Sequence, residues 1–322
     1  LKTYLLDRYQ CVHLNGVSSN EYLVTSGVPQ GSVIGPLLFN IFINDIASNI
    51  TSDTLLYADD LKLFKSIRTL TDTVVLQSDI IKIEEWCKIN DMSLNLDKCQ
   101  VICFSRKFAS SPCSYILCGT ALSVVKEIKD LGVLLDAKLS FHCHYDTIIS
   151  KGRKMLGCVK RWSTDFNDIR VLVILFSSLV RSLLEYNTLI WSPFYSSHIR
   201  RFEAVQNNFL KYLMYRLALK NIILENTQLV ASYVSISSLE NRRIYHKLCF
   251  IFKLVNGLVD APDLLSMIYF NVPVRTVRSP YVFFVPYHRR NYALHSPLNS
   301  MILLANQYCK NLEFFGVSFN RF

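Results

Sequence analysis

The stretch Leu55-Leu56-Tyr57-Ala58-Asp59-Asp60-Leu61-Lys62-Leu63-Phe64 decides how the rest of this chain is read. Two apolar, β-forming flanks enclose an acidic dipeptide, a pattern that predicts a tight hairpin with the carboxylates at its turn. Adjacent like charges repel, at modest cost where water surrounds them. The pair is favoured where a divalent cation sits, because Mg²⁺ takes hard carboxylate oxygens. Two readings of Asp59 and Asp60 stand at this point, a solvated acidic turn and a metal site, and the neighbours decide between them.

Upstream lies Ser26-Gly27-Val28-Pro29-Gln30-Gly31-Ser32-Val33-Ile34-Gly35-Pro36. Its glycines and prolines define a loop whose backbone approaches a ligand closely. Pro36 suits a first helical turn, and Leu37, Leu38, Ile41, Phe42 and Ile46 fall on one face of the helix behind it. Such a loop presents backbone N–H groups to phosphate, although its spacing fits neither the Walker nor the dinucleotide pattern. Further upstream, Tyr9 to Leu14 and Glu21 to Thr25 alternate like strands, with Asn15-Gly16 and Ser18-Ser19-Asn20 as the turn.

Downstream, a helix is predicted over Asp72 to Lys88, with Val75, Leu76, Ile80, Ile83 and Trp86 on its buried side. Asn90 to Cys99 then leads into a strand, Gln100 to Phe104. The order strand, loop-helix, hairpin, helix, strand describes an α+β sheet with helices on one face. Residues 113–141 read as further short strands. From His142 the pattern turns helical, with Ile148, Ile149, Met155, Leu156 and Val159 in one stripe and Lys151, Arg153, Lys154, Lys160 and Arg161 on the other faces. Helices are also predicted for Arg170 to Trp191, Ile199 to Tyr215 and Leu239 to Leu254, and Pro273 to Pro297 is aromatic and punctuated by proline. There are no internal repeats and no low-complexity tract.

Of the 322 residues, 51% are hydrophobic and 19% charged, which excludes a disordered chain. A net charge of +10 and a pI near 9.1 point to a polyanionic partner, nucleic acid before membrane. The ten cysteines follow no regular framework and the opening residues carry no secretory signal, so reduced thiols and an intracellular chain, nuclear or cytoplasmic, are expected. The most apolar run, Val171 to Leu179, is well short of the ~18 residues of a membrane span. The chain opens on Leu1, without methionine and within an apparent helix, so a fragment of a longer polyprotein or a degraded copy is expected.

Taken in order, Ser26 to Ser32, Gly35-Pro36-Leu37-Leu38-Phe39, Tyr57-Ala58-Asp59-Asp60, Leu94-Asn95 to Lys98 and Leu131-Gly132-Val133 resemble the reverse transcriptases of non-LTR retrotransposons, above all the jockey-like elements of animals. The resemblance covers residues 1 to about 145 and continues more weakly through Leu183-Leu184-Glu185-Tyr186 and Trp191. It implies the C-terminal part of a right-hand polymerase palm, its antiparallel sheet backed by helices, followed by a mainly helical thumb and C-terminal region. The expected division is a partial palm at 1–107, a primer-grip-like hairpin region at 108–141, a thumb-like region at 142–215 and an element-specific region at 216–322.

It further implies RNA-directed DNA synthesis from deoxynucleoside triphosphates on an RNA template and DNA primer. Asp59 would bind Mg²⁺ (or Mn²⁺) with Asp60 in support, in a displacement served by two ions ~3.5–4 Å apart. Gln30 and Gly31, with Pro29 and Tyr57, match the positions that pack against the incoming nucleotide and its templating base. Lys98 matches a lysine that neutralises or protonates pyrophosphate, and a solvated lysine ahead of a strand remains its alternative. Leu131-Gly132-Val133 matches the hairpin that grips the primer end, with an ordinary core strand as its alternative. Lys151, Arg153, Lys154, Lys160 and Arg161 fall where a thumb tracks the duplex backbone, or form a solvated helix face.

The family's palm carries another metal-binding aspartate on an earlier strand, with a sugar-selecting aromatic nearby, and both are expected upstream of Leu1. Asp7 stands in a context that follows that strand. On this reading the chain alone does not polymerise, and a decayed or co-opted remnant that binds nucleic acid without catalysis is the alternative. RNA-dependent RNA polymerases resemble it only in the acidic hairpin. Cys113 and Cys118 followed by His142-Cys143-His144 suggest zinc, but the first pair is spaced more widely than usual and falls in a strand-like run. His288, Arg289 and Arg290 beside Tyr287 and Tyr292 make either a stacking and phosphate-binding patch or an exposed basic turn.

Overall fold

A computed structural model describes residues 2–106, 114–166, 168–271, 281–308 and 314–315. Leu1, Cys113, the boundary at 107/108 and the Pro273 end of the aromatic stretch lie outside them. The chain divides into two units, Leu1–Glu127 and Ile128–Phe322. Among the described residues no helix is long and apolar enough to cross a membrane.

In the first unit Arg8–Gln10 pairs antiparallel with Tyr22–Val24, and His13–Leu14 pairs with Val17–Ser18 between them. Asn15 and Gly16 both take positive φ, 49° and 82°, as a two-residue turn matching the strand twist requires. Asp53–Tyr57 and Asp60–Phe64 form the acidic hairpin, and Gln100–Ile102 runs parallel to Ser123–Val125. The mixed α+β class is as expected, but the single antiparallel sheet is not. Among the described residues the strands form separate two-stranded pieces, one of them parallel. Alternation tells which side chains face inward and leaves open which strand supplies the partner. Most of these short strands close on a neighbour along the chain.

The core of this unit is Ile43, Ile46, Ile83 and Cys87, with Phe39, Leu56, Leu61, Leu63, Trp86, Met92 and Leu94 packed against it. Helix Leu70–Ile89 buries Asp79, Ile83 and Cys87, so that of the expected stripe Ile83 is buried while Val75, Leu76, Ile80 and Trp86 are half-buried. Its first turn is closed by Asp72, which accepts from the amides of Arg68 at 2.9 Å and Thr69 at 2.8 Å, and these bonds hold its carboxyl below the ordinary range. Helix Gly35–Ile43 packs through Phe39 and Ile43, while Leu37, Ile41 and Phe42 stay exposed. The segment is apolar on every side, so its periodicity does not single out the face that packs.

The second unit opens at Ile128, within the strand Glu127–Asp130 that forms a hairpin with Val133–Asp136. Asp136 then accepts from the amides of Ser140 at 2.7 Å and Phe141 at 2.8 Å, fixing the approach to helix His142–Trp162. That helix buries Tyr145, Ile148, Ile149, Leu156 and Val159. They pack in one cluster with Phe176, Leu184, Trp191 and the Phe202, Phe209 and Leu213 side of helix Ser196–Ala218. Phe176 stacks on Phe209 with centroids 4.1 Å apart. A second cluster joins Ile251 and Phe252 of helix Leu239–Val255 to Phe283 and to Met301, Ile302 and Ala305 of helix Pro297–Tyr308. The helix expected over Arg170 to Trp191 is interrupted. Ile169–Leu175 passes into a π-helical turn, Phe176–Arg181, then Ser182–Glu185, and restarts as Thr188–Trp191. Asn187, left-handed at φ 54°, makes the break.

Candidate metal and nucleic-acid site

The acidic hairpin has the register its alternation demands. Leu56 faces Leu61 and Thr54 faces Leu63 on the core side, while Leu55 pairs with Lys62 and Tyr57 with Asp60 on the outer side. Ala58, at φ 51°, and Asp59 form the tip. Both aspartates are exposed, with Tyr57 directly across from Asp60.

The base of the hairpin is fixed by a residue that sequence reasoning missed. Asp79 on helix Leu70–Ile89 is 0% exposed. Its carboxylate accepts from the Ser52 amide at 2.8 Å, the Ser52 hydroxyl at 2.7 Å, the Thr51 hydroxyl at 2.9 Å and the Thr51 amide at 3.2 Å. The Lys82 ammonium lies 2.8 Å away. Burial alone would raise this carboxyl; the ammonium, the hydroxyls and the amide more than offset it and hold it well below the ordinary aspartate range. Thr51 and Ser52 run straight into strand Asp53–Tyr57, so Asp79 anchors the strand that ends at the acidic tip. The signal was present in the sequence, since an aspartate stands between Leu76 and Ile83 on the apolar stripe.

The loop carrying Gln30 and Gly31 is also braced from within. Arg8 Nη2 donates to the Gly27 carbonyl at 2.6 Å and the Ser26 carbonyl at 3.3 Å. The Ser32 hydroxyl donates to the Pro29 carbonyl at 2.7 Å, receives the Gly35 amide at 3.1 Å and is joined by the Tyr4 hydroxyl. A Cβ at Gly35 would lie 2.7 Å from Ser32 Oγ and 3.1 Å from the Pro29 carbonyl, so only glycine closes this corner. Gln30 and Gly31 are left exposed, and Pro29 is half-buried. Nothing in the spacing of Tyr4, Arg8 and Ser32 announced this bracing.

Lys98 ends the turn Leu96–Lys98, exposed, its amide bonded to the Asn95 carbonyl at 3.1 Å. Asp59, Asp60, Gln30 and Lys98 are not joined to one another by any hydrogen bond or ion pair. What unites them is the core beneath. Phe39 from the helix after the loop, Leu56 and Leu61 from the hairpin, and Met92 and Leu94 from the approach to Lys98 meet at Ile43, Ile46 and Ile83. Among the described residues no group of three His, Cys, Asp or Glu side chains is placed to hold a metal ion.

In the second unit Leu131 and Gly132 form the hairpin turn, at φ 41° and 86°, and Val133 is buried. Of the basic helix residues, Lys151, Arg153, Lys154 and Arg161 are exposed. Lys160 differs. Its ammonium donates to Asn208 Oδ1 at 2.9 Å and sits 5.5 Å from the Tyr212 ring centre, and burial pushes its pKa down. Farther on, His288 Nε2 lies 2.8 Å from Asn299 Nδ2 and Tyr287 is exposed.

Residues 1–157 match the family described as reverse transcriptase (RNA-dependent DNA polymerase). The chain is 29% identical over 216 residues to the probable RNA-directed DNA polymerase from transposon X-element of Drosophila melanogaster, covering 64% of this chain and 24% of that one. It is 27% identical over 222 residues to the RNA-directed DNA polymerase from mobile element jockey of the same fly, covering 66% and 24%. With the probable RNA-directed DNA polymerase from transposon BS, also of Drosophila melanogaster, it shares 28% over 224 residues, covering 66% and 25%. The matches thus span about a quarter of the length of these relatives. No solved structure matches the chain.

Proposed function

We propose that the chain is a jockey-like reverse transcriptase serving RNA-directed DNA synthesis, a reading supported by the family match over residues 1–157 and by the similarity to the X-element and jockey polymerases. Nucleotides would pass from deoxynucleoside triphosphates to a DNA primer paired with an RNA template. The observation that carries the reading is the core shared by the helix after the Gln30 loop, the acidic hairpin and the approach to Lys98.

Asp59 and Asp60 would hold Mg²⁺ or Mn²⁺. Two exposed carboxylates on a hairpin tip suit an ion that keeps waters and takes one or two protein carboxylates beside the substrate's phosphates. When bound, the metal polarises the primer hydroxyl and stabilises the leaving pyrophosphate. The chain's own groups do the rest. Lys98 neutralises charge on the departing phosphates, while Gln30, Gly31, Pro29 and Tyr57 seat the nucleotide and its templating base. Leu131-Gly132-Val133 contacts the primer end, and Lys151, Arg153, Lys154 and Arg161 follow the duplex backbone. In this scheme 1–107 act as palm, 108–141 as primer grip, 142–215 as thumb and 216–322 as an element-specific region.

A second reading has one observation in its favour. Among the described residues no third metal-binding side chain joins the two aspartates. Two adjacent carboxylates bind a pair of divalent cations weakly, so residues 1–322 alone would bind nucleic acid without extending a primer. Primer extension on an RNA template separates the two. Mg²⁺-dependent extension by residues 1–322, lost in Asp59→Asn, would overturn the second reading. Binding of the RNA–DNA hybrid with no extension supports it. A chain that binds no hybrid sinks both.

A further inference from the structure

We propose that Tyr186 is a positioning residue that latches the Leu131-Gly132 turn in the orientation from which it meets the end of a primer strand. The inference rests on the reading of residues 131–133 as the primer-end contact.

The Tyr186 hydroxyl donates to the Leu131 carbonyl at 3.0 Å. The hydroxyl end of its ring lies against the other half of the turn, so that a Cβ at Gly132 would be 3.0 Å from Tyr186 Cε1. At φ 86° residue 132 already favours glycine, and any side chain there also presses on the ring. Tyr186 is 51% exposed, so it contributes little as a core residue. Its contact is with the backbone of one turn, across 55 residues of sequence.

The tyrosine is itself held on two sides. Trp191 Nε1 donates to the Tyr186 carbonyl at 2.9 Å, and the Tyr145 hydroxyl donates to the Trp191 carbonyl at 3.0 Å. Tyr145 and Trp191 are almost fully buried, which ties the latch to helix His142–Trp162. On the other side Glu185 takes a two-pronged ion pair from Arg242, Nε to Oε1 at 2.5 Å and Nη2 to Oε2 at 3.0 Å, with Arg181 at 4.0 Å. The helix break at Asn187 lies between these holds. A left-handed asparagine persists where its surroundings overdetermine it. The break turns residue 186 out of the helix and onto the hairpin.

The hairpin's other end is fixed separately. The Leu134 amide donates to His144 Nδ1 at 3.1 Å, and Asp136 organises the chain into the helix behind. A two-stranded hairpin secured only at its base is free to splay at its tip. The Leu183-Leu184-Glu185-Tyr186 and Trp191 motif supplies the second point of attachment.

The test uses an RNA template annealed to a DNA primer whose 3′-terminal nucleotide is 4-thiothymidine, photocrosslinked to residues 1–322, with the attachment site mapped by peptide mass spectrometry. Hybrid affinity and thermal melting are measured alongside. The wild-type chain is expected to crosslink within residues 131–133. Tyr186→Phe, which keeps the ring and removes the donor, is expected to lower that yield about fivefold, the effect of one hydrogen bond, with affinity and melting nearly unchanged. Gly132→Ala, pressing on the ring from the turn, must lower it as well. Should Tyr186→Phe lose its cooperative melt, Gly132→Ala alone decides. A wild-type crosslink at 131–133 that both variants retain overturns the latch and leaves the primer-end contact standing. A wild-type crosslink elsewhere overturns both.

Discussion

Asp79 is a carboxylate in a core position, and its worth is decided by its partners. Removing one member of a buried, charged hydrogen-bond set leaves the others desolvated and unpaired, at a cost of about 3–5 kcal/mol. Asp79→Ala is therefore expected to lower unfolding free energy by about that amount in urea titration, whereas Ile81→Ala, at an exposed position of the same helix, changes it little. The folded pKa of Asp79 is depressed, so its stabilisation is present in full above the ordinary aspartate range and is lost only as pH falls towards the folded value. His144 acts at milder pH. It is buried, its Nδ1 accepts the Leu134 amide, and its ring meets Trp191 edge-on at 5.0 Å. Burial and the nearby Lys151 charge push its pKa down to about 4. Because the unfolded imidazole titrates near ~6.5, stability falls as pH drops from there towards about 4, by up to roughly 1.4 kcal/mol per unit. Denaturant melts over pH 4–7 are expected to show that slope in the wild type and a flattened one in His144→Gln.

At the scale of the element, the five basic residues of helix His142–Trp162 are not equivalent. Replacing Lys151, Arg153, Lys154 or Arg161 by alanine is expected to reduce the dependence of log affinity for an RNA–DNA hybrid on log salt by about one each. Lys160→Ala is expected to leave that slope in place and to lower stability instead, since its ammonium is engaged by Asn208 and Tyr212. Fluorescence anisotropy across a salt series reads both. Elements differed sharply in how far their residues announced them. The acidic hairpin and the long amphipathic helices were legible because period and turn chemistry agree there, as at Tyr57-Ala58-Asp59-Asp60 and along Ile148 to Val159. Helix Gly35–Ile43 was legible as a helix but not in its packing face, because Leu37, Phe39, Ile41 and Ile43 are all apolar. The break at Asn187 was not legible, because what stabilises it is a set of partners distant in sequence, including Leu131 and Arg242.

Over the whole molecule, the candidate site was legible as a series of motifs and not as a machine. Gln30, Asp59, Asp60 and Lys98 were found from their order along the chain, yet no hydrogen bond or ion pair joins one to another. Their common setting is a small apolar core, and two of the groups that brace the loop and the hairpin set on it, Arg8 and Asp79, lie outside the motifs. The same holds in the second unit, where a recognisable turn depends on a ring 55 residues away. That dependence orders how the sequence is free to drift. With tyrosine at 186, any side chain arriving at 132 meets both a left-handed backbone and an occupied space. A smaller residue at 186 relieves only the second. Substitution at the tyrosine must therefore come before substitution at the glycine, and reversing that order passes through a strained intermediate. The turn and the ring are constrained as one unit, although 55 residues of chain separate the two ends of the bond that joins them.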